Sequence, residues 1–132
     1  SPDATVALLD AYKTIQKDNK ILITGGTDKD LEYSSWAKKV SKEIAPQNLF
    51  LLSGSATIKM IAALTNENYW KKHNPRIFDS YKEMFESIQL TDGKQVTLLF
   101  SPSAASFEKF KNEFDRAQKF VKTLKVSSLL TL

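Results

Sequence analysis

The sequence has no cysteine and a single histidine, His73. Disulfides and thiolate metal centres are therefore excluded, and a transition-metal site built on imidazole ligands is disfavoured. No apolar run approaches the length of a membrane span, and the first residues lack a signal-peptide pattern. A basic block is missing too. The 19 basic and 15 acidic side chains are spread along the chain, so the net charge of +4 reads as solvated helix faces rather than a nucleic-acid groove. A mildly basic balance also suits a domain that handles anionic small molecules. Together these absences favour a cytoplasmic protein with neither nucleic acid nor membrane as its partner.

What remains is an ordinary globular composition, 42% apolar and 26% charged over 132 residues, enough for one domain with a real core. Its most organised stretch is residues 96–116, VTLLFSPSAASFEKFKNEFDR. Val96, Leu98, Leu99 and Phe100 form the short apolar run of a strand buried on both faces. Ser101-Pro102-Ser103 is expected to stop the strand, because proline brings no donor to the ladder. Ser103 or Ser106 can then cap a helix whose inner face is Phe107, Phe110, Phe114, Ala117, Val121 and Leu124.

The remainder repeats that strand–helix alternation. Residues 3–17 read as a helix with Ala4, Leu8, Ala11, Tyr12 and Ile15 inward. Strands are expected at residues 21–24 and 48–52, and a brief one at 77–78. Between them lie a helix capped by Ser34, with Trp36, Ala37, Val40 and Ile44 inward, and one using Ile58, Ile61, Ala62 and Leu64. Residues 66–76 are polar and read as a surface loop. Ser80 and Glu83 form a capping box for a short helix with Tyr81, Met84, Phe85 and Ile88 inward. Residues 125–132 show no period and stay unassigned. The alternation predicts an α/β fold, a Rossmann-like three-layer αβα domain with a mainly parallel sheet.

Two strand ends carry the candidate chemistry. Gly25-Gly26-Thr27-Asp28-Lys29 follows the first strand: glycines let the backbone turn sharply toward a ligand, and Lys29 supplies positive charge. Such a pair of glycines can equally be a plain turn, and the spacing is not that of a phosphate-binding Walker loop. Residues 101–106 place serine hydroxyls and helix-start N–H groups at the other strand end, either an anion site or simply a capped helix. No serine has the setting of a nucleophile, which removes a hydrolase reading. His73-Asn74-Pro75-Arg76 reads as a turn, and Arg116 as one half of a surface ion pair.

Taken in order, SPDATVALLDAY, ILITGGTDKDLEY and LLFSPSAASFEKFKNEFDRAQKF resemble the C-terminal domain of the Mur ligases, in their D-glutamate-adding branch. The resemblance implies that residues 1–132 are the amino-acid-delivering domain of a three-domain, ATP-dependent, ADP-forming ligase of peptidoglycan precursor synthesis. Such a ligase activates the carboxylate of UDP-N-acetylmuramoyl-L-alanine as an acyl phosphate, which the amine of D-glutamate attacks. It also implies ATP and Mg2+ as cofactors, bound mainly by a central domain outside this chain, and a monomeric enzyme. By the same resemblance Lys29 pairs with a carboxylate of D-glutamate, and the Ser106 hydroxyl and Phe107 N–H hydrogen-bond a carboxylate. Thr27, Ser103, Asn112 and Glu113 stand as supporting positions. Glu113 departs from the family, which usually carries an aromatic residue there, and Ala117 replaces a family glycine. The family also has an aspartate-serine-lysine-alanine-threonine segment, led by a strand, before the position of Ser1. The chain is accordingly expected to be an excised domain, lacking its first strand or strands and inactive alone. Two alternatives remain, another Mur or folylpolyglutamate-type ligase domain and a non-catalytic phosphate- or partner-binding module.

Overall fold

In the computed structural model the described residues are 1–28, 30–88, 96–102, 111–113, 115 and 126–131. The first strand, β1 (Lys20–Gly25), is buried at every position, which is what its apolar run requires. Flanking it are β2 (Leu49–Leu52) and β4 (Val96–Pro102), with β3 (Ile77–Phe78) and β5 (Val126–Thr131) at the margins. The order is β3-β2-β1-β4-β5, and every described pairing is parallel. Leu22 sits at the centre, paired with Leu49 on one side and Leu99 on the other.

Because side chains alternate across a strand, these runs serve two cores. Leu22, Leu49, Leu51 and Leu99 face one way, beneath α1 (Pro2–Ala11), α2 (Ser34–Glu43) and α3 (Ser55–Asn66). Ile21, Ile23, Phe50, Leu98 and Phe100 face the other, where α4 (Tyr81–Ser87) contributes Tyr81, Met84 and Phe85. The result is the expected three-layer αβα fold. From β1 the chain winds outward to β3, then returns to the far side of β1 as β4. The winding therefore reverses between β1 and β4, and the crevice at their carboxyl ends is the switch point at which open α/β sheets hold ligands.

Several expectations need correction. Helix α1 ends at Ala11, well short of residue 17, because Tyr12, Lys13 and Ile15 donate to carbonyls three residues back and tighten the chain into turns. Its inner face is Thr5, Leu8 and Leu9, while Ala11 is exposed. Helix α2 starts at Ser34, so Ser34 is not its cap; Tyr33 is the cap residue, and the Glu32 carboxylate accepts from Ser34 N at 2.7 Å. Helix α3 buries Ala56, Thr57, Met60 and Leu64, with Ile58 73% exposed. SATIKMIAALTN carries two apolar stripes, and the Thr57 hydroxyl, bonded to Gly26 N and Leu52 O, selects the one that turns inward.

The 66–76 segment is not wholly at the surface. Helix α3 continues to Asn66, and Tyr69 is buried with its hydroxyl donating to Ile44 O at 2.8 Å. Strand β4 runs through Pro102, whose partner is Gly25. β5 pairs with β4 only as far as Phe100, so the proline meets a neighbour on one side there and its missing donor breaks no described ladder. Residues 126–131, unassigned from sequence, form β5. The Ser80 cap holds, its hydroxyl accepting from Glu83 N at 3.2 Å. Of the long helix expected after Ser106, residues 111–113 and 115 are helical and the others lie outside the described residues.

Candidate functional site

The carboxyl edge of the sheet is built from glycine turns and buried hydroxyls. β1 leaves the sheet through Gly25 and Gly26, both with φ near +100°. A Cβ on Gly25 would sit 2.6 Å from both Leu52 O and Thr57 Oγ1, so only glycine fits. Gly26 N donates to Leu52 O at 2.9 Å and to Thr57 Oγ1 at 3.1 Å, and Gly26 O accepts from Ala56 N at 3.0 Å. The turn after β1 is thus bolted to the end of β2 and the first turn of α3.

The residues that follow are held with equal care. Ser55 Oγ both accepts from Asp28 N and donates to Asp28 O, each at 3.3 Å. The Asp28 carboxylate accepts from the Tyr33 hydroxyl at 2.8 Å. Asp30 forms an ion pair with Lys59 of α3. Across the crevice, the Thr5 and Ser101 hydroxyls share a hydrogen bond of 2.6 Å, and Thr24 Oγ1 donates to Ser101 O at 2.6 Å. Thr5, Thr24, Thr57 and Ser101 are all buried, and each spends its hydroxyl here. A cavity of about 10 Å³ remains between β1 and β4, lined by Thr5, Thr24, Gly25, Asp28, Tyr33 and Ser101 among others, with room for one water molecule. On the outer side of the same loop, a depression of about 390 Å³ lies between Asp30, Leu31, Glu32 and α3.

Charges around the loop follow from these contacts. The Lys59 ammonium, hydrogen-bonded to Asp30, holds that carboxyl below its ordinary value, and the Ser34 hydroxyl does the same for Glu32. Burial pushes the Tyr33 and Tyr69 phenols above their ordinary value of 10.0, with the Asp28 hydrogen bond adding to the effect at Tyr33. In the pH range above 10 the unfolded chain releases these two protons and the folded chain retains them. Stability is therefore complete below pH 10 and falls as pH rises beyond it. Alkaline unfolding followed by circular dichroism should be steeper in the wild type than in Tyr33→Phe; equal slopes would show that Tyr33 titrates freely.

Of the residues singled out from sequence, Thr27 lies exposed on the loop between Gly26 and Asp28. Asn112 is exposed and Glu113 half-buried, both in helical backbone. Lys29, Ser103, Ser106 and Phe107 lie outside the described residues. The sequence reading missed Asp28, Tyr33 and Ser55 as a set, and it missed the buried threonines; a threonine at a core position of a helix, as at Thr5 and Thr57, was the available signal. Among the described residues there is no group of three or more His, Asp or Glu side chains that could hold a metal ion, and the sequence has no Walker loop. Nor, among them, is any helix long and apolar enough to cross a membrane.

A parallel αβα sheet that reverses its winding at β1, with a glycine turn at the reversal, is a Rossmann-like domain. No protein-family model and no solved structure matches the chain. Curated relatives do. The chain is 40% identical over 124 residues to the UDP-N-acetylmuramoylalanine--D-glutamate ligase of Borreliella afzelii, covering 92% of this chain and 25% of that protein. It is 38% identical over 122 residues to the ligase of the same name from Borreliella burgdorferi, covering 90% of the chain and 25% of the relative. With that of Treponema pallidum it shares 33% over 125 residues, 95% of the chain and 22% of the relative. The chain is a homologue of the C-terminal domain of these Mur ligases, and it spans about a quarter of their length. The shared name of these relatives does not favour the alternatives of a different amino-acid ligase or a non-catalytic module.

Proposed function

We propose that this chain is the amino-acid-delivering domain of an ATP-dependent, ADP-forming ligase that adds D-glutamate to UDP-N-acetylmuramoyl-L-alanine in peptidoglycan precursor synthesis. The similarity over nine-tenths of the chain to ligases of that name carries this reading. The switch-point crevice supports it independently, because the glycine turn before Lys29 opens onto the edge where α/β sheets hold anions. The Lys29 ammonium pairs with a carboxylate of D-glutamate. The Ser106 hydroxyl and the Phe107 N–H hydrogen-bond a carboxylate, with Thr27, Ser103, Asn112 and Glu113 as neighbours. Holding the dicarboxylate at both strand ends orients its amine toward the activated acyl group. ATP and Mg2+ act from the remaining three-quarters of the ligase, which works as a monomer in the cytoplasm.

Two measurements test this. In the full-length ligase, Lys29→Ala removes a charge-assisted contact of about 1.5–3 kcal/mol and should raise the KM for D-glutamate roughly 10- to 100-fold. An unchanged KM sinks the assignment of Lys29. The 132-residue chain alone, given ATP, D-glutamate and the UDP-sugar substrate, should release no ADP; steady release would show that catalysis resides here.

A further inference from the structure

We infer that the outward face of α3 at Ile58, with Leu31 beside it, is the surface on which the rest of the ligase seats, the part that holds the activated acyl group. This rests on the function proposed above and goes beyond it by naming the side chains that meet that part.

Helix α3 reverses the usual order of inside and outside. Among the described residues the large apolar side chains left exposed are Leu31, Ile58 and Ile77, with Ile58 the most exposed of the three. Next to Ile58 the polar Thr57 is buried. The helix is held from rolling Ile58 inward, because Thr57 Oγ1 accepts from Gly26 N and donates to Leu52 O. Folding of this domain gains nothing from an isoleucine there. A local choice that stability does not explain is expected at a functional surface.

The surroundings of Ile58 have the shape of a seat. The Asp30–Lys59 ion pair joins the loop to α3, and Leu31 and Ile58 are chain neighbours of its two members. Leu31 lines the depression of about 390 Å³ together with Ala62 and Ala63. Ala62 is exposed and lies one helical turn beyond Ile58, on the same face. The two alanines leave the floor low enough to receive a side chain from outside. A single exposed isoleucine is ordinary; the row of Leu31, Ile58 and Ala62 along a depression has the form of a contact surface.

The occupant follows from length and position. The chain spans about a quarter of the ligases it matches, so most of such a ligase is available to cover the face. The start of α3 also holds the ligand edge, through Ala56 N to Gly26 O and Asp28 N to Ser55 Oγ, and Ile58 stands within a turn of that rim. An acyl group activated elsewhere in the ligase has to reach this edge, and the part that carries it comes to rest on the rim. Ile77, by contrast, sits on β3, two strands away from β1.

Ile58→Lys in the full-length ligase tests the assignment, with Ile77→Lys as the control for a surface change. A lysine there disfavours the seated state, so kcat/KM for ligation should fall about 10-fold, while Ile77→Lys stays within about 2-fold of wild type. The urea midpoint of the 132-residue chain should not move in Ile58→Lys, which separates lost docking from lost folding. Leu31→Lys should act in the same direction and serves if the Ile58 variant folds poorly. Hydrogen exchange adds a readout that a merely structural role would not move. Residues 57–62 should exchange more slowly in the full-length ligase with ATP and the UDP-sugar substrate than in the 132-residue chain, and Ile58→Lys should abolish the difference. Unchanged kcat/KM in both lysine variants at the face overturns the docking surface. So does self-association of the 132-residue chain that Ile58→Lys abolishes, since it would give the face to a second copy. If the full-length ligase forms no D-glutamate product at all, the function proposed above fails, and this inference with it.

Discussion

Alanine in place of Gly54 is expected to destabilise the domain by about 3 kcal/mol or more and to disable the ligand edge with it. Gly54 has φ 152° and ψ 176°, a region that side chains with a Cβ rarely enter. The added methyl would also drive into the backbone of Gly26 and come within 2.8 Å of Thr27 N. Backbone cannot swing aside as a side chain would, so either the start of α3 or the turn after β1 must move. That movement breaks the Ala56 N to Gly26 O bond and the two bonds made by Gly26 N. Urea denaturation of the 132-residue chain measures it: the midpoint should fall sharply with the slope unchanged. A loss below about 1 kcal/mol would mean that the turn yields easily and that the contacts of Gly26 do not hold it in place.

A second large effect is expected at the opposite end of the sheet. Lys20 opens β1 with its side chain only 1% exposed, its Nζ 2.9 Å from Glu43 Oε2 and 3.4 Å from Tyr12 O. Glu43 also lies 3.9 Å from Lys39, which reaches Asp10 at 3.2 Å, so one network joins α1, β1 and α2. Lys20→Ala strands Glu43 and the Tyr12 carbonyl beside a cavity, at a cost of about 3 kcal/mol. The double variant Lys20→Met with Glu43→Leu replaces the pair by apolar groups of similar size and should recover most of that loss. Denaturant melts of the two single variants and the double variant give the coupling. If the double variant is as unstable as Lys20→Ala, the ion pair with its hydrogen bonds, and not packing of the lysine stem, holds this corner together.

The sheet was legible in the sequence because a strand buried on both faces needs a mostly apolar run; those at Ile21 and Leu49 are unbroken, and the one at Val96 is interrupted only by Thr97. Helix α4 was legible for a different reason: one serine cap and one clean stripe leave no competing arrangement. Elsewhere local pattern could not decide. α3 offers two stripes, and a hydrogen bond to a distant turn chooses between them. Tyr69 sits in a polar segment, yet its hydroxyl finds Ile44 O across the fold. In β5, Ser127 and Ser128 interrupt the apolar residues, so pairing with β4 defines a strand that neither period nor composition marked. At the site, the glycine turn and the two strand ends could be read from residue types alone. The clasp of Asp28, Tyr33 and Ser55 could not, because it depends on which loop meets which helix.

The central place of β1 also governs when the crevice can exist. One wall comes from the end of β1 and the other from β4, which the chain reaches only after β2 and β3. Loop closure over the longer separation makes the β1–β4 ladder the costlier of the two pairings of β1, and it is expected to close after β1–β2. A partly folded chain has no switch point to offer. Any ligand that binds there recognises only the finished sheet, and its binding energy accrues wholly to the last stage of folding.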